Sequence, residues 1–291
     1  MKAKREQWQY PPNAKVWAGK YRNSHNMPRW HYDCELLFVE NGSLDIFCNQ
    51  KGYRVSKGQA FFIDSEQVHY MHALSADTVV TMIIFDYDII KPFTEKIALA
   101  SPLLCGKYQM ENVYSSLKRE LSENKPFLES VTSSIISLFM ADIFRNERTA
   151  AKVKPARVVE RFKSLLNEID EKYEFYDLET AASDMGMNPS YFSRLFHKLT
   201  GLTFSQYLNY VRCENAVRLL QTESDMPITE IASRCGFATI RNFNRIFKKF
   251  TGYTPKALPQ DYIMKDSITS INENSINPTF VECELLESTD A

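Results

Sequence analysis

The chain has 291 residues, room for two domains of ordinary size. Its apolar fraction of 44%, charged fraction of 24% and net charge of −1 exclude a disordered polyelectrolyte and a chain basic along its whole length. Any polyanion contact must therefore come from a local patch.

The start, MKAKREQWQYPP, is basic but leads into no apolar run, so no secretion signal is expected and the chain reads as cytoplasmic. From about 14 to 90 the pattern is that of strands. Short β-rich runs are broken at Asn41-Gly42, Lys51-Gly52 and Lys57-Gly58, which predicts an antiparallel sandwich or barrel. The most apolar run, TVVTMIIFDYDII, carries two Asp and is too short to span a bilayer, so no membrane contact is expected. From about 108 the period becomes helical. Val113, Leu117 and Leu121 define one helix, and Leu128, Val131, Ile135, Leu138 and Phe139 a second. Residues 149–157, polar with one Pro, read as a linker, and 158–263 as an all-helical domain. Residues 264–291 form a polar, acidic tail in which TFVECELL could make a short strand or helix. The six Cys, at 34, 48, 105, 213, 235 and 283, show no CxxC or zinc-finger spacing and read as reduced thiols.

The helical domain repeats itself. SYFSRLFHKLTG returns about fifty residues later as NFNRIFKKFTG. In the first copy (177–200) Leu178, Ala181, Ala182 and Met185 share a face, and Gly186 makes a turn. Asn188-Pro189 then caps and opens a helix whose stripe is Phe192, Leu195, Phe196 and Leu199. The second copy (227–251) matches it with Ile228, Ile231, Ala232 and Cys235, Gly236, and then Phe243, Ile246, Phe247 and Phe250. Helix, tight glycine turn, helix is a helix-turn-helix, and each Gly is expected at positive φ. The glycines are 50 residues apart but the leading Phe of the two stripes 51, so one residue has entered the second turn or helix start. One amphipathic helix of about 18 residues, roughly 27 Å long at ~1.5 Å per residue, separates the copies.

Opposite the stripes lie Ser190, Ser193, Arg194 and His197 in the first copy, and Ile240, Arg241, Asn244, Arg245, Lys248 and Lys249 in the second. Residues 231–260 hold six Arg or Lys and no acid. A one-sign patch on helix faces is the footprint of a polyanion, and Arg, Asn and Ser pair with base edges in the major groove. Two such heads on a strut could enter successive major grooves of double-stranded DNA, ~34 Å apart.

On these residues, from AASDMGMNPSYFSRLFHKLTGLTFSQYL to AVRLLQTESDMPITEIASRCGFATIRNFNRIFKKFTGYTP, the segment 158–258 resembles the DNA-binding domain of the AraC/XylS family of bacterial transcription regulators. The resemblance implies promoter binding, most often activation through RNA polymerase, and a homodimer whose contact falls in residues 108–148. It places base contacts at Ser190, Ser193, Arg194, Ile240, Arg241, Asn244 and Arg245.

In RWHYDCELLFVENG, His31, Asp33 and Glu35 alternate and so are expected on one face of a strand, with His69 beyond the next turns. That arrangement resembles a cupin barrel, implying an α+β chain in which residues 1–107 form a cupin-like sensor ahead of the all-α domain. Metal-binding cupins carry two His in the first motif; here Arg29 stands in the first of those places, so no metal and no cofactor is expected. Arg29, His31, Glu35 and His69 read instead as polar anchors for a small-molecule effector, or as satisfied structural groups. Trp17, Tyr21, Trp30 and Tyr32 could wall a sugar ring or simply fill a core. The leading expectation is a ligand-responsive transcription regulator that is not an enzyme. The alternatives are a metal-dependent cupin enzyme with an appended DNA-binding module and a constitutive regulator whose barrel serves only to dimerise.

Overall fold

The structure, a computed structural model, describes residues 10–288 apart from 27, 50, 153–156, 224, 261 and 263–283. The chain divides into two units. One is Glu6–Lys154 joined by Thr269–Ala291; the other contains Pro155–Ile268.

The first unit runs β1 (Val16–Arg22), β2 (Cys34–Asn41), β3 (Ser43–Cys48), β4 (Lys51–Ser56), β5 (Ala60–Ile63), β6 (His69–Ala73) and β7 (Val79–Phe85). A short α1 (Lys91–Thr94), β8 (Ile97–Leu99), α2 (Met110–Glu123), α3 (Leu128–Asn146) and β9 (Thr149–Ala151) follow, and β10 (Glu284–Ser288) joins from the far end of the chain. The main sheet has the order β10-β1-β7-β2-β5, and a second sheet is β4-β3-β6. The two faces of the main sheet serve different layers because side chains alternate along a strand. Trp17, Leu37, Phe61 and Met82 pack with Leu44 and Ile46 of the second sheet. Leu36, Phe62, Ile83 and Phe85 pack with Tyr114, Leu117, Ile136 and Met140 of α2 and α3. The sheet is thus buried on both sides, which is why TVVTMIIFDYDII is almost continuously apolar without crossing a membrane. No helix among the described residues is long and apolar enough to cross one.

Three local expectations are corrected. The turns at Gly42 and Gly58 stand, both at positive φ, though each passes the chain from one sheet to the other; Lys51-Gly52 lies inside β4, and the β3–β4 hairpin turn before it uses Asn49 at φ 49°. Thr149–Ala151, at the start of the expected linker, pairs with β8. In α3 the buried side is Leu128, Thr132, Ile136, Met140 and Ile143, while Val131 and Leu138 are exposed. That helix carries apolar residues on its exposed side as well as its buried one, so its sequence period did not say which side faces inward. Of the strand or helix that the tail allowed, Glu284–Ser288 forms a strand, β10; the rest of 264–291, and residues 153–156 of the linker, lie outside the described residues.

The second unit is α4 (Arg157–Lys172), α5 (Leu178–Asp184), α6 (Pro189–Thr200), α7 (Phe204–Thr222), α8 (Ile228–Arg234) and α9 (Ile240–Thr251). Asn188 caps α6 by accepting from the Tyr191 amide, and Thr239 caps α9 by accepting from the Asn242 amide. Gly186 and Gly236 have φ of 65° and 75°, as the turns require. From Gly186 to the cap Asn188 is two residues, and from Gly236 to the cap Thr239 is three; the extra residue is in the turn. The repeated Thr-Gly also has its reason. Thr200 and Thr251 are buried, each hydroxyl donates to the carbonyl four residues back, and each accepts the amide two residues on, which holds the chain where the helix stops at a left-handed Gly.

Candidate nucleic-acid interface and effector site

In α6, Phe192, Phe196 and Leu199 are buried and Leu195 is half-buried; Phe192 and Phe196 pack in tilted and edge-on contacts with Phe162, Phe204 and Tyr207. In α9, Phe243, Ile246 and Phe247 are buried and Phe250 is half-buried. Those stripes fix the opposite faces outward. Ser190, Arg194 and His197 are exposed and Ser193 is half-buried on α6; Ile240, Arg241, Asn244, Arg245, Lys248 and Lys249 are all exposed on α9. Two details revise the charge reading. Glu230, just outside the acid-free stretch, pairs with Arg234 at 2.6 Å, which removes that Arg from the cationic face. Arg245 donates to Asn242 of its own helix at 2.8 Å, which occupies part of its guanidinium.

One residue that sequence reasoning missed ties the unit together. Arg212, on α7, donates to the carbonyls of Tyr173, Glu174 and Tyr176, the segment before α5, and stacks over Phe237. A cation among the apolar positions of α7 was the only trace of it. Burial pulls its guanidinium pKa down, and the carbonyl oxygens offset part of that cost.

In the first unit, Glu35 shares the inner face of β2 with Leu37 and Val39, between the two sheets. There it meets Arg29 at 2.8 Å, His31 at 3.0 Å and His69 at 3.6 Å. All four predicted anchors are therefore brought together. Asp33 is not: β2 begins only at Cys34, so the expected alternation fails over residues 31–33, and Asp33 accepts instead from the Tyr10 hydroxyl. Burial alone would push the Glu35 carboxyl up, but the Arg29 guanidinium beside it outweighs this and holds Glu35 well below the carboxylate range. His69 is lowered, chiefly by burial.

The tautomers follow from the carbonyls. His31 Nδ1 donates to the Asp33 carbonyl and His69 Nδ1 to the Gln67 carbonyl, both at 2.8 Å, so both Nε2 atoms face Glu35. Arg29 Nε donates to His69 Nε2 at 3.3 Å. His31, Glu35 and His69 offer ligand atoms within 4.8 Å of one another, a set able to hold a metal ion. The guanidinium of Arg29 already brings positive charge to that point. Of the aromatic residues, Trp17 and Trp30 are buried and Tyr32 is exposed; Trp17 belongs to the core between the sheets.

Residues 18–140 match the AraC-like ligand binding domain, and residues 181–260 a helix-turn-helix domain. A domain that takes a ligand joined to one that reads DNA defines a transcription regulator. The chain belongs to the AraC family of such regulators. The HTH-type transcriptional activator RhaR of Escherichia coli K12 is 25% identical over 238 residues, covering 77% of this chain and 84% of its own. ToxT from Vibrio cholerae O395, solved with (E)-4-(8-methylnaphthalen-1-yl)but-3-enoic acid, is 13% identical with a TM-score of 0.43, covering 83% of this chain and 97% of its own. The DNA-binding domain of AdpA, solved with a target DNA, is 35% identical with a TM-score of 0.31, covering 32% of this chain and 85% of its own.

Proposed function

We propose that this regulator activates transcription as a homodimer, reading promoter DNA through α6 and α9 of each copy and contacting RNA polymerase, and that it is not an enzyme. The observation that carries the reading is the twofold recurrence in one unit. Each copy buries a Phe-based stripe and turns a face free of Asp and Glu outward, and α7, of 19 residues, separates them. RhaR, similar along most of this chain, is named an activator. On α9 the base-reading residues are Arg241, Asn244 and Ile240, with Arg245, already donating to Asn242, and Lys248 and Lys249 on phosphates. On α6, Ser190, Ser193 and Arg194 read and His197 supports. The short serines leave most of the specificity to α9.

The effector is a small molecule held near Arg29, His31, Glu35 and His69. Glu35 Oε2 supports this: it is fully buried and accepts no hydrogen bond among the described residues, so it is placed to take one from a ligand hydroxyl or amine. Effector binding shifts the population of DNA-competent arrangements. A second copy packs on the outward apolar stripe of α3, where Phe127 is 80% and Leu138 74% exposed. Dimerisation suits heads whose individual contacts are small, because the second site is then bound at high effective concentration.

Genome-wide binding in the native host followed by fluorescence anisotropy on the recovered sites tests the reading. Site-selective binding that weakens steeply with salt supports it, and equal binding to all duplexes or to none refutes it. A thermal-shift panel of sugars and organic acids tests the sensor, since a ligand at 100 times its Kd adds about 2.7 kcal/mol. Leu138→Glu should turn the dimer into a monomer in light scattering; a chain that is monomeric before the change, or dimeric after it, removes α3 as the contact.

A further inference from the structure

The chain leaves its ligand-binding unit after Lys154, spends Pro155–Ile268 in the DNA-binding unit, and returns with Thr269–Ala291. What returns is a strand. β10 pairs antiparallel with β1, with Gly19 opposite Ser288, Lys20 opposite Glu287, Tyr21 opposite Leu285 and Arg22 opposite Glu284. Without it, β1 would be the open edge of the main sheet, with a row of unpaired amides and carbonyls.

The match is electrostatic as well. Glu284 pairs with Arg22 at 2.8 Å. Glu287 pairs with Lys118 at 2.7 Å and accepts from the Tyr114 hydroxyl at 3.2 Å, so one acidic side chain joins the strand to α2. Lys20 lies 4.9 Å over the Tyr114 ring, completing a basic and aromatic seat for an acidic strand. Its neighbours explain the lowered pKa of Glu287, led by Lys118.

We propose that β10 is a detachable latch that gives the DNA-binding unit a second tether to the ligand-binding unit, and that DNA binding and latch closure oppose each other. This rests on the DNA-binding reading above. The first tether is the chain around residues 152–157. The second is residues 263–283, which reach at most about 70 Å and then end on β1. Heads that must settle where DNA dictates either tolerate the closed latch or open it, and opening it weakens DNA binding by the same factor that DNA weakens the latch. The ladder is short, at an edge, and held by exposed ion pairs, which are weak and screened by salt, so it can open without unfolding the sheet.

The experiment compares three full-fold proteins: the whole chain, the chain ending at Asp266, and Leu285→Pro, which removes a strand amide. Hydrogen exchange over residues 16–22 reads the latch, and anisotropy with a promoter duplex reads the heads. The truncated and Leu285→Pro proteins should lose β1 protection and bind DNA at least about threefold tighter, the scale of a modest coupling. A synthetic peptide of residues 279–291 added to the truncated chain should restore β1 protection and leave the tighter DNA binding in place, because a free peptide is no tether. Equal β1 protection in all three proteins, or equal DNA affinity, overturns the latch. A free peptide that weakens DNA binding as the attached strand does also overturns it, since the signal then passes through the sensor. If no protein binds any duplex, the DNA-binding reading fails and the latch with it, while the exchange data still report whether β10 docks.

Discussion

A Cβ placed on Gly236 would stand 2.7 Å from both the Cα and the carbonyl oxygen of Glu174, and 2.9 Å from Nε of Arg212. The turn of the second helix-turn-helix thus lies against the segment before α5, and Arg212 closes the space between them. Any side chain at 236 meets backbone that has no freedom to retreat.

This separates two glycines of similar φ. Gly252 (φ 78°) has nothing within 4 Å of a Cβ, so Gly252→Ala should cost only the left-handed backbone penalty, roughly 1–2 kcal/mol. Gly236→Ala should carry that penalty and the clash, with a clearly larger loss in chemical denaturation and loss of DNA binding at temperatures where Gly252→Ala still binds. Equal losses would show that the approach to Glu174 is not rigid.

The outward face of α9 yields a second expectation. Arg241→Ala should relax specificity at one base pair at a cost of about 1–3 kcal/mol, the value of a bidentate guanine contact. Arg245, already donating to Asn242, should behave as a phosphate contact. Arg245→Ala then weakens all duplexes alike and lowers the salt slope by about one. A panel of single-base operator variants titrated at two salt concentrations decides both.

Arg29→Ala removes the main positive partner of a carboxylate that is wholly buried. Breaking such a pair costs about 3–5 kcal/mol, because the remaining charge is stranded. Glu35→Gln in that background should recover part of the loss, as the stranded charge is gone. A double change as unstable as the sum of the two singles would mean that the residues do not couple, which a double-mutant cycle by thermal unfolding reads directly.

Acid should loosen the ligand-binding unit through a second histidine pair. His25 and His72 face each other with Nδ1 atoms 2.6 Å apart, and His25 Nε2 meets Asn23 Oδ1 at 2.8 Å. Burial, with the His72 charge, pulls His25 from 6.5 down to about 4; His72 is also lowered, by burial, with Asp45 opposing. An imidazole kept neutral in the fold contributes stability above its ordinary pKa, and that contribution is lost as pH falls from about 6.5 through about 4. His69 adds a slope of the same sign. His25→Gln should therefore flatten the fall of the unfolding temperature over this window without levelling it; an unchanged slope would remove the pair as a cause.

The DNA-binding unit was largely legible in the sequence, and the reason is that its determinants are local. A stripe such as Phe192, Phe196 and Leu199 repeats within two helical turns, and caps, turn glycines and the Thr-Gly stops act within four residues. Gathering Arg29, His31, Glu35 and His69 was half legible. The residue types and a strand period pointed to them, but the bend at 31–33 sent Asp33 to Tyr10, and no spacing rule foresaw that.

What the sequence alone determined is the order of a β-rich region, a helical pair and a repeated helix-turn-helix, and which helix faces are cationic. Which side of α3 is buried, why Arg212 sits among apolar residues, and where Glu284–Ser288 goes were decided only in three dimensions. Each of these depends on a partner distant along the chain, 36 residues away for Arg212 and 262 for the Arg22–Glu284 pair. Hydrogen bonds and charges between such partners depend on how the intervening elements pack, and packing leaves no periodic trace in the residues it joins.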